Sequence, residues 1–320
     1  MFWLHRGLPA CLLLPLSWLF SGLARVRRAF ISPQRLPVPV VVIGGITVGG
    51  SGKTPLTLHL VDALRRRGYV PGIVSRGYGG AAAAVTEVTP DAAPGHVGDE
   101  PLLLRRRADC PVFVGVDRVA AGRALLAAHP DTNLILCDDG MQHYRLARDV
   151  EIAVLDRRGV GNGHVLPAGP LREAPARLRG VDALVLNDAA APAVVPAAVF
   201  SMKLQGETFV SLRDASVRVG PEALQGPLHA VAGIGEPQRF FDHLAALGLE
   251  FIPHAFPDHH AYAASDLDFG GAILTTEKDA VKLRALPATA QEVWVLPVTA
   301  ALSPGLDQLI VEKLHGRASA

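Results

Sequence analysis

VPVVVIGGITVGGSGKT, residues 38–54, is the stretch on which the fold turns. Val38 to Ile43 is a β-branched apolar run. A glycine-rich turn follows, and Gly52-Lys53-Thr54 then opens a helical pattern through Pro55, Leu56, Leu58, Leu60, Val61 and Leu64. A buried strand, a glycine loop and a helix starting at Lys-Thr form a P-loop. Its glycines let the backbone N–H groups of Thr47, Val48, Gly49, Gly50, Ser51 and Gly52 converge on phosphate oxygens, with a favourable dipole from the helix N-terminus. Lys53 supplies a point charge for the β- and γ-phosphates, and the Thr54 hydroxyl suits Mg2+. Thr47 stands where the strict GxxxxGK[ST] frame has its first glycine, and Gly49, Gly50 and Gly52 make up the deficit. A plain glycine-rich turn is the competing reading, and the flanking strand and helix weigh against it.

Downstream of the loop, apolar runs alternate with helical stretches. Strands are expected near Val70–Ser75, Pro111–Gly115, Asn133–Cys137, Glu151–Asp156 and Asp182–Asn187, with helices over Lys53–Arg67, after Gly98-Asp99-Glu100-Pro101, and from Asp117-Arg118 to His129. Such alternation argues a P-loop NTPase-type α/β fold, a mainly parallel sheet with helices on both faces. Ligands of such sheets bind at the carboxyl ends of the strands. Residues 44–54, Arg76, Asp117-Arg118 and Asp138-Asp139 all fall there. Ala189–Val199 is rich in Ala and Pro and marks a boundary, beyond which further strands and helices form a smaller α/β unit. The expected organisation is an amino-terminal helix over 1–30, a P-loop domain over 31–195 and a smaller domain over 196–320.

The 320 residues leave room for about two domains. A hydrophobic content of 49% and a mean hydropathy of +0.27 call for a large core or a membrane contact. The formal net charge of +1 offers no electrostatic case for nucleic acid. Cys11, Cys110 and Cys137 are far apart and read as reduced thiols of a cytoplasmic chain. Leu8–Ala24 is apolar and bracketed by Arg6 on one side and Arg25, Arg27 and Arg28 on the other. A spanning helix needs roughly 20 apolar residues, and this run is shorter and carries Pro9 and Pro15. It is read as an interfacial helix, with its apolar face in lipid and its arginines toward anionic headgroups. A cleaved leader and a helix packed on the protein's own core are the alternatives.

Leu134-Ile135-Leu136-Cys137-Asp138-Asp139 has the form of a Walker B strand, in which a carboxylate reaches Mg2+ directly or through water. A helix cap or turn carboxylate is the simpler alternative. Asp99 and Glu100 are first-turn acids of a helix, or else one of them is a catalytic base or a metal-site acid. Asp258-His259-His260, with His254 nearby, reads as a catalytic His, surface histidines or zinc ligands, and spacing alone does not choose.

Taken together, TVGGSGKTP (47–55), SRGYGG (75–80), GDEP (98–101), VGVDR (114–118), DDGMQH (138–143), LPAGPLRE (166–173), FPDHH (256–260) and TTEKDAVK (275–282) resemble the tetraacyldisaccharide 4'-kinases, the lipid A 4'-kinases of Gram-negative bacteria. The resemblance runs from the apolar start to near the chain's end. It accommodates Thr47, since the family's loop is of the VGGxGKT type, and its one mild departure is Met141, where Phe is commoner. It implies transfer of the ATP γ-phosphate to the 4'-hydroxyl of an acylated glucosamine disaccharide at the cytoplasmic face of the inner membrane. No nucleic acid and no obligate protein partner are expected. On the same resemblance, Asp99 is the catalytic carboxylate and His259 its partner, with the site between two domains. Thr54, Asp138, Asp139 and Gln142 form the metal shell. Arg76, Glu100, Arg118, Arg172 and Glu173 are candidates for substrate and transition-state contacts. The rival function is a membrane-associated P-loop ATPase or GTPase switch, although Thr276-Glu277-Lys278-Asp279 does not fit the Asn-Lys-x-Asp spacing that reads guanine.

Overall fold

The computed structural model describes residues 3, 5–286 and 291–316. The strand at the head of the glycine loop, β1 (Val40–Gly44), is buried along its whole length, as a continuous β-branched run requires. Its side chains alternate between two cores. Val41 and Ile43 pack against Leu56, Leu60 and Leu64 of α2 (Lys53–Arg66), whereas Val40 and Val42 face a layer containing Leu125, Met141 and Leu171. Burying each such side chain is worth roughly 1.5–3 kcal/mol, so both cores hold the strand at the centre of the sheet.

The remaining elements continue the alternation: β2 (Pro71–Ser75), β3 (Thr86–Glu87), α3 (Pro94–Val97), α4 (Asp99–Ala108), β4 (Val112–Val114), α5 (Arg118–Ala128), β5 (Leu134–Asp138), β6 (Val150–Asp156) and β7 (Ala183–Asn187). With β8 (Val199–Gln205) and β15 (Thr299–Leu302) they form a nine-stranded sheet in the order β15-β8-β7-β6-β1-β5-β2-β4-β3. All pairings are parallel except the two at the edges, β15 with β8 and β3 with β4. The sheet is therefore the mainly parallel, doubly covered one that the sequence implies, and the glycine loop lies at its centre.

A second, six-stranded sheet is built from β9 (Phe209–Ser211), β10 (Arg218–Val219), β11 (Leu228–Ala232), β12 (Ile252–Ala255), β13 (Ala272–Thr276) and β14 (Val293–Leu296), in the order β10-β9-β14-β13-β11-β12. Phe240, Phe241 and Leu244 of α6 (Pro237–Ala246) cover one face, and Leu283 of α7 (Glu277–Leu283) contributes to the other. The chain does not change sheets at one point near residue 195. β8 still extends the first sheet, and the chain returns to it through β15 and α8 (Leu306–His315), whose Leu306 and Ile310 join the same core as α2.

The amino-terminal helix α1 spans Leu8–Ala29, five residues beyond the apolar run itself. Pro9 sits in the first turn, where no backbone N–H is required, and Pro15 lies inside the helix. At 22 residues α1 is long and apolar enough to cross a membrane by length and composition. Leu8, Leu12, Trp18, Leu19 and Leu23 are all more than half exposed.

Candidate active site

Gly52 caps α2 with φ +92°, a left-handed conformation that suits glycine, and an added Cβ would run into the Asn187 amide. Asn187 lies at the end of β7 and donates through Nδ2 to the Ser51 carbonyl at 2.9 Å, fixing the last turn of the loop from the side. Arg158 reaches the loop from the end of β6, donating to the Gly50 carbonyl at 3.4 Å and to Asp156 through Nε at 3.1 Å. The Thr47 and Ser51 hydroxyls are buried with no hydrogen-bond partner among the described residues. Such groups are rarely left orphaned in a folded chain. They point to an acceptor-rich ligand such as a phosphate.

Lys53 is nearly buried at the first turn of α2, with Nζ 3.6 Å from Asp139 Oδ1 and 3.4 Å from the Gly49 carbonyl. Asp138, the last residue of β5, is fully buried and accepts from the Thr57 hydroxyl at 3.0 Å. Burial, together with the charges of Glu100 and Asp139, pushes its carboxyl up to about 7. Asp139 behaves oppositely. Burial raises it, but Lys53 and Arg172 outweigh that and hold it below the usual carboxylate range. Arg172 Nη1 donates to Asp139 at 3.0 and 3.1 Å and to Gln142 Oε1 at 3.2 Å. Gln142 Nε2 in turn donates to Gly45 O at 3.0 Å and to Glu173 at 2.9 Å, and Tyr144 donates to the other Glu173 oxygen. Gln142 is thus held by Arg172, Glu173 and the Gly45 carbonyl, sharing the Arg172 guanidinium with Asp139.

Asp99 heads α4, where the helix N-terminus favours a negative charge. Gly98 immediately before it has φ +93°, and a Cβ there would approach the Tyr78 carbonyl to 2.7 Å, so only glycine allows this entry into the helix. His259, 160 residues later, places Nδ1 at 3.0 Å from Asp99 Oδ2. Tyr78 packs against the imidazole with ring centroids 5.0 Å apart. α7 lies along α4 and brings two lysines. Lys278 donates to Glu100 at 2.9 Å and to Asp258 at 3.0 Å, with His259 Nε2 at 3.5 Å. Lys282 stands 3.9 Å from Asp99 and 3.1 Å from Asp279. Burial alone would raise the Asp99 carboxyl, but the His259 hydrogen bond and the two lysines hold it below the usual range. The Asp99 hydrogen bond conversely raises His259, against burial and Lys278. An ionised Asp99 requires the imidazole proton on Nδ1. In the neutral imidazole this leaves Nε2 as an acceptor facing the Lys278 ammonium at 3.5 Å.

The three histidines in and beside the FPDHH stretch have different partners. His259 meets Asp99, His260 meets Asp266 at 3.0 Å, and His254 meets His229 at 2.9 Å. Arg118 is nearly buried and donates to the Val116 carbonyl at 2.8 Å. Its Nε has no hydrogen-bond partner among the described residues. Arg76 is exposed at the end of β2. The sequence did not single out Asn187, Asp156, Arg158, Tyr78, Lys278 or Lys282. Tyr78, Lys278 and Lys282 had a local signal, lying inside SRGYGG and, as an i,i+4 pair, inside TTEKDAVK.

The donor set can be tested against Mg2+, which takes oxygen ligands and is commonly held by one or two carboxylates together with substrate phosphates. Thr54, Asp138 and Asp139 supply hydroxyl and carboxylate oxygens beside the glycine loop. Asp138 is fully buried at the end of β5 and Asp139 follows it beside Lys53, so this hydroxyl and carboxylate donor set fits a hard cation.

A family model described as tetraacyldisaccharide-1-P 4'-kinase matches residues 9–315. The tetraacyldisaccharide 4'-kinase of Dechloromonas aromatica (strain RCB) is 54% identical, the match covering 98% of this chain and 95% of the relative. That of Aromatoleum aromaticum is 52% identical over 100% and 98%. The crystal structure of LpxK from Aquifex aeolicus in complex with ATP superposes with a TM-score of 0.79 at 29% identity, covering 95% of this chain and 99% of that one.

Proposed function

The chain belongs to the tetraacyldisaccharide-1-P 4'-kinase family, and from that premise we propose how its residues carry out the transfer. The protein is a kinase of lipid A biosynthesis that binds ATP and phosphorylates the 4'-hydroxyl of a tetraacylated disaccharide 1-phosphate. The loop 47–54 cradles the triphosphate, with Lys53 at its β- and γ-phosphates. Thr54, Asp138, Asp139 and Gln142 would hold Mg2+, and Arg172 and Glu173 keep Asp139 and Gln142 oriented. The metal, when bound, neutralises charge on the transferring phosphoryl group.

Asp99 and His259 handle the acceptor proton. The observation that carries this reading is their 3.0 Å contact, made by residues from two different sheets' connections. A carboxylate held ionised by His259, Lys278 and Lys282 is ready to accept the 4'-hydroxyl proton as phosphorus–oxygen bond formation makes that proton acidic, and the imidazole shares the charge as it moves. Arg118 and Arg76, beyond the carboxyl ends of β4 and β2, supply positive charge to balance the γ-phosphoryl group as it leaves ADP.

The acylated substrate lies in a bilayer, so its kinase has to meet it there. The exposed apolar side of α1, with Trp18 exposed near its middle and Arg25, Arg27 and Arg28 in or near the last turn, fits a lipid surface with anionic headgroups. ATP is cytoplasmic, which assigns the cytoplasmic face of the inner membrane.

Nucleotide turnover with and without the acylated disaccharide tests the kinase reading against the switch. A kinase turns ATP over only with acceptor present, one ADP per phosphorylated lipid. Acceptor-independent hydrolysis of ATP or GTP with no phosphorylated lipid would count for the switch.

A further inference from the structure

α1 is an apolar helix with one polar side chain turned inward. Ser17 is 4% exposed, whereas its neighbours Trp18 and Leu19 are 69% and 60% exposed. The Ser17 hydroxyl donates to the Val165 carbonyl at 2.8 Å and accepts from the Ala168 N–H at 3.0 Å. Trp3, just ahead of the helix, donates through Nε1 to the Pro167 carbonyl at 3.0 Å, and its own carbonyl accepts from the Asn162 N–H at 2.9 Å. These bonds fix one side of the strap formed by residues 162–173.

The other side of the strap is bonded to the phosphate loop. Val48 N–H donates to the Pro170 carbonyl at 3.0 Å, Arg172 N–H donates to the Ile46 carbonyl at 2.6 Å, and Thr47 pairs with Leu171 in an antiparallel bridge. The strap is also tied internally, by Leu166 N–H to Leu171 O and by the Asn162 amide to Ala168 O, both at 2.8 Å. Near its end is Arg172, whose guanidinium holds Asp139. One hydrogen-bonded layer therefore separates the lipid-facing helix from the loop that receives phosphate.

We infer that Ser17 is a positioning residue for phosphoryl transfer: through the 162–173 strap it holds Thr47, Val48 and Arg172 in the arrangement that receives the nucleotide. α1 then has two separable duties, lipid contact on its exposed side and support of the phosphate loop on its inner side. This rests on the nucleotide-binding and membrane roles proposed above. Ser17 makes both strap bonds, and replacing it with alanine leaves the buried Ala168 N–H without its partner and the Val165 carbonyl with the Gly169 N–H at 3.2 Å in place of two donors.

The test uses the full chain and compares wild type, Ser17→Ala, Trp3→Phe and Leu19→Ser. The readouts are affinity for a fluorescent nonhydrolysable ATP analogue without lipid, sedimentation with vesicles containing anionic phospholipid, and kcat and KM for the acylated acceptor. Ser17→Ala is expected to weaken nucleotide affinity and lower kcat, each about tenfold, a typical cost of a misplaced reacting group being larger still. Its vesicle sedimentation and acceptor KM stay at wild-type values. Trp3→Phe moves the same readouts in the same direction by less, and it carries the test if Ser17→Ala does not fold. Leu19→Ser does the reverse: it weakens sedimentation and raises acceptor KM, with nucleotide affinity unchanged. Wild-type nucleotide affinity and kcat in folded Ser17→Ala would overturn the inference, as would a loss confined to acceptor KM. A wild-type chain that binds nucleotide but transfers no phosphate would instead contradict the kinase reading, and the nucleotide affinities would still decide the role of Ser17.

Discussion

Asp138→Asn is expected to stabilise the nucleotide-free protein at pH 8 while abolishing its kinase activity. Asp138 is fully buried, and its carboxyl is pushed from an ordinary 3.8 up to about 7 by burial and by the negative charges of Glu100 and Asp139. A carboxylate whose folded-state pKa is raised binds protons more tightly in the folded than in the unfolded chain. Stability therefore falls as pH rises from about 4 to about 7 and levels off above, where both states are ionised. Each pKa unit corresponds to about 1.4 kcal/mol, so three units set a ceiling of about 4 kcal/mol. Asparagine is nearly isosteric, keeps an oxygen to accept from the Thr57 hydroxyl, and does not titrate. The variant should match wild type near pH 4 and exceed it by up to about 4 kcal/mol at pH 8, or roughly 5–10 °C in Tm for a chain of this size. Thermal unfolding at pH 5 and pH 8, without nucleotide and then with ATP and Mg2+, reads the effect. Ligand should stabilise wild type far more than the variant at pH 8, because the bound cation offsets the charge that burial penalises. A Tm difference that is the same at both pH values would refute the reasoning.

Three further outcomes follow from the site. Asp99→Ala and His259→Ala should each lower kcat by about 10²–10⁴, with the double variant little worse than the worse single one, because the two act as a unit; additive losses in steady-state kinetics would separate them. Gly52→Ala places a Cβ against the Asn187 amide in a left-handed conformation, so nucleotide affinity measured by titration should drop at least about tenfold with the fold retained. Lys278→Met removes a cation that lowers both the Asp99 and His259 pKa values, so the His259 imidazole should titrate at higher pH by NMR. Asp99 contributes stability above the ordinary carboxylate range, and that contribution is lost as pH falls through its depressed folded value. Lys278→Met should therefore cost more stability at neutral pH than below about pH 3.

What could be read from the chain was local. Residues 38–54 combine a buried strand, a glycine turn and a helix start within seventeen positions, and the apolar runs that become β2, β4, β5, β6 and β7 show their burial on both faces directly. The parallel sheet followed from those patterns. The site was legible only where a motif named its own chemistry, as Lys53, Thr54 and Asp138-Asp139 do. Asp99 and His259 are separated by 160 residues, and no periodicity pairs them; the family resemblance brought them together. Asn187 gave no signal, because a polar residue at a strand's end looks the same whether it braces a loop or faces water. Ser17 was hidden for a related reason. One hydroxyl in an apolar helix is unremarkable until the fold presents two backbone groups to it. The return of β15 to the first sheet depends on α8 packing beside α2, a tertiary contact that the local pattern at 293–302 does not encode.

The most direct measurement is 31P NMR of the lipid product after incubation of the full chain with ATP, Mg2+ and tetraacylated disaccharide 1-phosphate, beside a Lys53→Ala control. The account predicts one new phosphomonoester resonance, assigned to the 4'-position, appearing in step with ADP in the wild type and absent in the control. ADP formation without a new ester, or an ester at any other hydroxyl, would contradict it.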